Sequence, residues 1–180
     1  MKEFLKNTYG FTNYQVAQLG FLAKTLLSEI SKLIIMGFLF YDCLDIYLIA
    51  SITLLLLRTS TGGLHCKTYL SCLIVSCLYM LVCIRLLPLI PLSRFTTIIL
   101  LFICLIINYS IGPVTSVIHK PLSKENNQKG RIRALIIIFF YILITAIIPE
   151  HSYACVASRV IIAHTLQLII AKIRKKGANI

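Results

Sequence analysis

LLSEISKLIIMGFLFYDCLDIYLIASITLLLL, residues 26–57, is the run on which the fold turns. It is apolar except for Ser28, Glu29, Ser31, Lys32 and the patch from Tyr41 to Asp45. One crossing of a bilayer takes roughly 20 residues, so the run is either one over-long helix or two crossings. Asp42 and Asp45 choose between them. A charge near the middle of the hydrocarbon costs about 2.5–3.5 kcal/mol on insertion scales, and placing both aspartates at a membrane surface removes that cost. The run is therefore predicted to be a hairpin with crossings over 24–42 and 45–58.

The apolar runs downstream repeat the theme. Residues 69–92 make a third crossing, ended by Pro88 and Pro91, and 95–111 a fourth, closed by Gly112-Pro113. Residues 134–148 make a fifth, stopping at Pro149, and 153–171 a sixth. Proline ends these helices because it lacks an N–H and its ring crowds the preceding turn. Ahead of the hairpin, residues 1–24 mix charges with Phe4, Leu5, Tyr9, Phe11, Tyr14, Val16 and Leu19, a pattern suited to helices lying in the interface. This stretch lacks the compact apolar core and small-residue cleavage site of a secretory signal, so it is expected to be retained. The expectation is an all-α polytopic protein of about six transmembrane helices: an amphipathic region 1–24, a membrane domain 25–171 and a basic tail 172–180.

Charge orients this layout. Hydrophobic residues make up 58% of the 180 and charged residues 13%, against about 45–50% and 25% in soluble domains. Eighteen Lys+Arg against six Asp+Glu leave a formal charge of +12, an excess that in membrane proteins gathers on cytoplasmic loops. With both termini cytoplasmic, Lys2, Lys6, Lys24, Arg58, Lys67, the loop residues Lys120, Lys124, Lys129, Arg131 and Arg133, and the tail residues Lys172, Arg174, Lys175 and Lys176 all fall inside. Lys32, Arg85, Arg94 and Arg159 lie within or near span ends. The loop 113–133 and the stretch 58–76 are then cytoplasmic. The basic residues do not share one face with aromatics between them, so the lipid bilayer is an expected partner and nucleic acid is not. Most of the seven cysteines, Cys43, Cys66, Cys72, Cys77, Cys83, Cys104 and Cys155, have Leu, Ile or Val neighbours and behave as small hydrophobes. No C-x-x-C pair occurs, so no metal site is expected, and no cofactor either.

RTSTGGLHCKTYLSCLIVS, residues 58–76, sets polar chemistry between two apolar runs. A cysteine attacks a carbonyl as its thiolate, and an imidazole can take the proton and later return it to a leaving amine. His65 and Cys72 are the natural pair. Seven residues along one straight helix would hold them roughly 10 Å apart at 1.5 Å per residue, beyond the ~3 Å of a hydrogen bond. The pair works if the backbone folds back at Gly62-Gly63, where glycine supplies the freedom. A place for Cys72 in the first turn of the following helix would further favour a thiolate and an oxyanion. Cys66 and Cys77 are rival nucleophiles, the first too near His65 in sequence, the second deeper by more than a turn. The competing account is a polar loop followed by a helix that uses Ser71, Cys72, Ser76 and Cys77 as small packing residues. His119 lies in the basic loop, His151 follows Pro149, and His164 is a packed or pore-facing group inside the last span.

The order Arg58, Gly63, His65, Cys72, Ser76, with six residues between Arg58 and His65, six between His65 and Cys72 and three between Cys72 and Ser76, resembles the accessory gene regulator B (AgrB) family of bacterial membrane cysteine endopeptidases. Length, six-span layout, amphipathic N-terminus and a basic loop running from Pro113 past Pro121 share in the resemblance, which covers nearly the whole chain. It implies Cys72 as nucleophile and His65 as general base and acid, with Arg58, Gly63 and Ser76 supporting them. It implies as substrate the amphipathic precursor of a quorum-sensing peptide. The C-terminal part is cut away, the rest is held as a thioester, and ring closure to a thiolactone or lactone follows. A homodimer in the bacterial cytoplasmic membrane is implied as well. Lys120, Lys124, Lys129, Arg131 and Arg133 either bind an acidic end of that precursor or serve only as the inside signal. His119, and Cys66 directly after the histidine, depart from the family pattern. The competing function is a small transporter using the aspartates and His164 as a polar path, for which neither spaced intramembrane carboxylates nor an internal repeat is present.

Overall fold

The computed structural model describes residues 12–62, 68–114, 124–148 and 152–177. Two compact units divide the chain, Met1–Asp42 and Cys43–Ile180. The first carries one helix, α1 (Asn13–Leu39). Its start is a reciprocal cap: Gln15 N–H donates to Thr12 Oγ1 at 3.3 Å and Thr12 N–H donates to the Gln15 side chain at 2.9 Å, so two of the orphan first-turn donors are satisfied. α1 runs without a break through residue 24, and Glu29 pairs with Lys32 one turn on. Residues 1–11, with Phe4, Leu5, Tyr9 and Phe11, lie outside the described residues.

The break between the first two apolar runs falls where the aspartates put it. A single 3-10 turn, Tyr41–Cys43, separates α1 from α2 (Leu44–Thr61). Asp42 is exposed, and Asp45 sits in the first turn of α2, where the helix dipole favours a carboxylate. Asp45 Oδ2 also accepts a 2.9 Å hydrogen bond from Tyr153 OH.

In the second unit, α3 (Tyr69–Leu81) widens into a π turn, Val82–Leu86, and tightens into a 3-10 turn, Leu87–Leu89. Pro88 explains the change: it has no N–H for the carbonyl one turn back, and its ring crowds that carbonyl. Ser93 caps α4 (Arg94–Ile111), accepting from Thr96 N–H at 3.2 Å. α5 (Lys124–Ile147) and α6 (Ser152–Gly177) complete the order. The polar stretch expected as the loop 113–133 is helical from Lys124 onward. Lys, Glu, Gln and Arg are good helix formers, and Glu125 and Lys129 form a 2.6 Å ion pair one turn apart. α6 likewise runs on into the basic tail.

α2, α4, α5 and α6 pack around Leu57, Leu101, Cys104, Ile138, Ile142 and Ile161, all buried. Lipid is as apolar as leucine, so close packing and interhelical hydrogen bonds hold such a bundle. Thr53 and Tyr141 share a 2.8 Å bond, Thr145 and Ser158 one of 3.3 Å, and Ala154, Ala157 and Ser158 give α6 a small-residue face. Phe102, Ile103, Ile106, Phe139 and Phe140 point outward, exposed. α3 joins the bundle through its π turn, where Cys83 and Ile84 are buried, and that turn packs on α2 and α6. Five helices among the described residues are long and apolar enough to span a membrane: Tyr41–Thr61, Tyr69–Leu89, Arg94–Ile111, Glu125–Ile147 and Ser152–Arg174. α1 is not among them; it carries Lys24, Glu29 and Lys32 in its apolar half. The protein is an all-α polytopic membrane protein.

Candidate functional site

Thr61, Asn108, His164 and Thr165, all buried, meet where α2 and α4 end. Gly62 closes α2 at φ +76°, its N–H donating to Arg58 O at 2.9 Å. A positive φ there favours glycine, and a Cβ would overlap the Val114 carbonyl oxygen. Val114 N–H donates to Thr61 O at 2.9 Å, giving a parallel bridge between the chain leaving α2 and the chain leaving α4. The start of α5 seals the junction. Gly130 lies so close to Ser60 O and Pro113 that a Cβ would be 2.6 Å from the first and 2.8 Å from the second. The Arg131 guanidinium lies against Gly112, which is also at positive φ.

Cys72 stands at the entrance of α3. Thr68 caps that helix: its hydroxyl accepts from Ser71 N–H at 3.3 Å, and its carbonyl accepts from Cys72 N–H at 3.1 Å. Cys72 is thus one turn into the helix, with the first-turn amides just ahead of it. The residue is 7% exposed. Cys72, Ser76, Tyr79 and Cys83 recur at i, i+4, i+7 and i+11, one stripe of a helix. That stripe faces the bundle, since Tyr79 OH donates to Val160 O of α6 at 2.9 Å and Cys83 is fully buried.

Arg58 is half-buried in the last turn of α2, four residues before Gly62. Ser76 is half-buried on the stripe of Cys72. His65, Gly63 and the rival Cys66 lie outside the described residues. Cys77 is half-buried, next to Ser76 and off the stripe.

The five basic residues separate by environment. Lys120 and the side chain of Lys124 are outside the described residues. Lys129 is exposed and balanced by Glu125, and Arg133 is exposed. Arg131 is half-buried at the junction, and its Nε has no hydrogen-bond partner among the described residues. The polar-path residues do not join. Asp45 opens α2 while His164 bonds Thr61 at its far end, sixteen residues away or about 24 Å of helix.

Thr61, Asn108, Val114 and the role of His164 were not legible in the sequence. Their nearest signals were Gly62-Gly63 and Gly112-Pro113, paired breaks after two apolar runs.

Fold and site together define a polytopic membrane protein with a buried cysteine one turn into a capped helix. The sequence profile of accessory gene regulator B matches residues 2–171, and the chain belongs to that family. An AgrB-like protein of Clostridium beijerinckii is 28% identical over 177 residues, 97% of this chain and 86% of that one. No solved structure matches the chain. Family membership places the protein in accessory gene regulator quorum-sensing peptide processing.

Proposed function

We propose that the protein is a membrane cysteine endopeptidase that cuts the C-terminal part from a quorum-sensing peptide precursor and closes the remainder into a ring. Cys72 is the nucleophile. His65 takes its proton, the thiolate adds to the scissile carbonyl, and the tetrahedral intermediate collapses to a thioester as His65 returns the proton to the leaving amine. An internal thiol or hydroxyl of the held peptide then attacks that thioester. Its proton passes through His65 to Cys72, and the thiolactone or lactone departs. Exchange of one thioester for another is nearly isoenergetic, so the thiolactone needs no ATP.

The observation that carries this reading is the placement of Cys72, one turn into a capped helix on the stripe that faces the bundle, in a chain of this family. A helix start favours negative charge on the oxygen of the tetrahedral intermediate. Arg58, Gly63 and Ser76 support the pair. Arg58, Gly62 and Arg131 lie at one end of the bundle, and the positive-inside rule makes that end cytoplasmic; with α1 as a sixth crossing ahead of the five, both termini share that side. The precursor enters by its own amphipathic helix from the bilayer surface, and its acidic end meets the basic residues at the start of α5. Two copies of the chain associate as a homodimer, covering polar surface beside the short crossing.

Intact mass of the purified protein in lipid, incubated with a candidate precursor, tests the reading. A hydroxylamine-labile adduct equal to the precursor without its C-terminal segment, absent from the Cys72→Ala protein, is expected. Cleavage that persists in the Cys72→Ala protein would move the nucleophile to another cysteine.

A further inference from the structure

Among the described residues, one histidine is wholly buried, and the proposed chemistry does not use it. His164, in the middle of α6, is 0% exposed. Its Nε2 lies 2.8 Å from Thr61 Oγ1, in the last turn of α2. The Thr61 hydroxyl has one proton and directs it to Leu57 O at 2.9 Å, so its lone pairs face the ring and Nε2 donates. The neighbouring residue repeats the pattern toward another helix. Thr165 Oγ1 donates to Ile161 O at 2.9 Å and accepts from Asn108 Nδ2 of α4, also at 2.9 Å. Asn108 and Thr61 are both buried.

Two adjacent side chains of α6 therefore grip the last turns of α2 and α4. Within one turn of those grips, each helix ends in a glycine at positive φ, and the two exits are joined by the Val114 N–H to Thr61 O bond. Thr61 belongs to both contacts, its hydroxyl to His164 and its carbonyl to Val114. A buried hydrogen bond whose alternative is an unsatisfied donor in an apolar surround is costly to break, so the grip fixes a position.

We infer that His164 is a positioning residue for the peptide-processing site: through its bond to Thr61 it fixes the point at which the chain leaves α2 toward His65 and Cys72. The inference rests on the function proposed above. It assigns His164 no contact with substrate and no proton in the reaction. A displacement of about 1 Å at the reacting groups costs on the order of a hundredfold in rate, so a distant anchor is sufficient to control turnover.

The test compares His164→Leu, which removes the donor, with His164→Gln, whose amide nitrogen can take the place of Nε2. Thr61→Val and Thr61→Ser form the reciprocal pair. Formation of the peptide adduct is followed against precursor concentration, and exchange of the Val114 amide is measured without substrate. His164→Leu is expected to lower the maximal rate about tenfold to a hundredfold with the half-saturating concentration nearly unchanged, and to speed Val114 exchange. His164→Gln should restore both. The double variant His164→Leu/Thr61→Val should be no slower than either single one, as befits one shared bond. A wild-type rate in His164→Leu, or a His164→Gln protein as slow as His164→Leu, would overturn the inference. If His164→Leu fails to fold, the Thr61 pair reads the same bond. If the wild type forms no adduct with a matched precursor, the proposed function fails instead, and Val114 exchange still decides whether His164 holds the junction.

Discussion

Val114 donates its amide proton to the carbonyl of Thr61 at 2.9 Å, tying together the two chain exits at one end of the bundle. The bridge is possible because Gly62, next to Thr61, has no Cβ to meet the Val114 carbonyl and adopts φ +76°. A side chain at residue 62 meets both the penalty of a positive-φ, extended-ψ backbone, about 1–3 kcal/mol, and that overlap.

Gly62→Ala should therefore open the bridge while leaving the helices inserted. We expect precursor cleavage at least about tenfold slower, the equivalent of roughly 1.4 kcal/mol, with unchanged helical content by circular dichroism. Initial cleavage rates in lipid check this. A wild-type rate would mean that the exits tolerate separation.

Tyr79→Phe removes one specific tie between α3 and α6, the bond to Val160 O. Loss of a buried neutral hydrogen bond costs about 0.5–1.5 kcal/mol, so a small fall in the detergent melting temperature is expected. Because α3 also holds the bundle through the π turn, the fold should survive. A melting temperature equal to that of the wild type would show that water or another group replaces the phenol.

What the sequence discloses and what it hides follow from the range of the forces involved. The helix break at Tyr41–Cys43 was legible because the cost of burying Asp42 and Asp45 is local to those residues. The ends at Pro88 and at Gly112-Pro113 were legible because proline and glycine act on their own backbone. The helical start of α5 was missed because a hydropathy reading treats Lys124 to Arg133 as polar loop, while the Glu125–Lys129 pair and helix propensity hold it in a helix. Cys72 stood out by its spacing from His65 and by the family resemblance that Arg58, Gly63 and Ser76 share in. The grip of His164 on Thr61 joins residues far apart in the chain, and neither residue type at its position announces the other. Gly62 looked like a flexible break and is in fact a close approach.

Arg58 is half-buried in the last turn of α2, four residues before Gly62, and the proposed function has its charge support Cys72 and His65. Arg58→Gln keeps much of the length and removes the charge. Its cleavage rate should fall by about tenfold or more, as expected when a preorganised charge beside a reaction is lost. Arg58→Lys should recover part of that rate, since lysine keeps the charge without the planar fork. Equal rates for the two variants would assign Arg58 to shape and not to charge.

Lys129 and Arg131 are two residues apart on α5 and make opposite predictions. Lys129 is exposed and already paired with Glu125, a contact of the kind worth about 0.2–1 kcal/mol at a surface. Lys129→Ala should leave both stability and the concentration dependence of cleavage close to wild type. Arg131 lies against Gly112 at the junction with its Nε lacking a partner among the described residues. Under the proposed function, Arg131 is the cation expected to meet an acidic peptide end. Arg131→Ala should raise the half-saturating precursor concentration about tenfold, within the range for loss of a charge-assisted hydrogen bond. The increase should vanish when the acidic residues of the precursor's C-terminal segment are changed to their amides. Measuring cleavage against concentration for both variants and both precursors checks this. An increase that persists with the amide precursor would reassign Arg131 from the substrate to the junction itself.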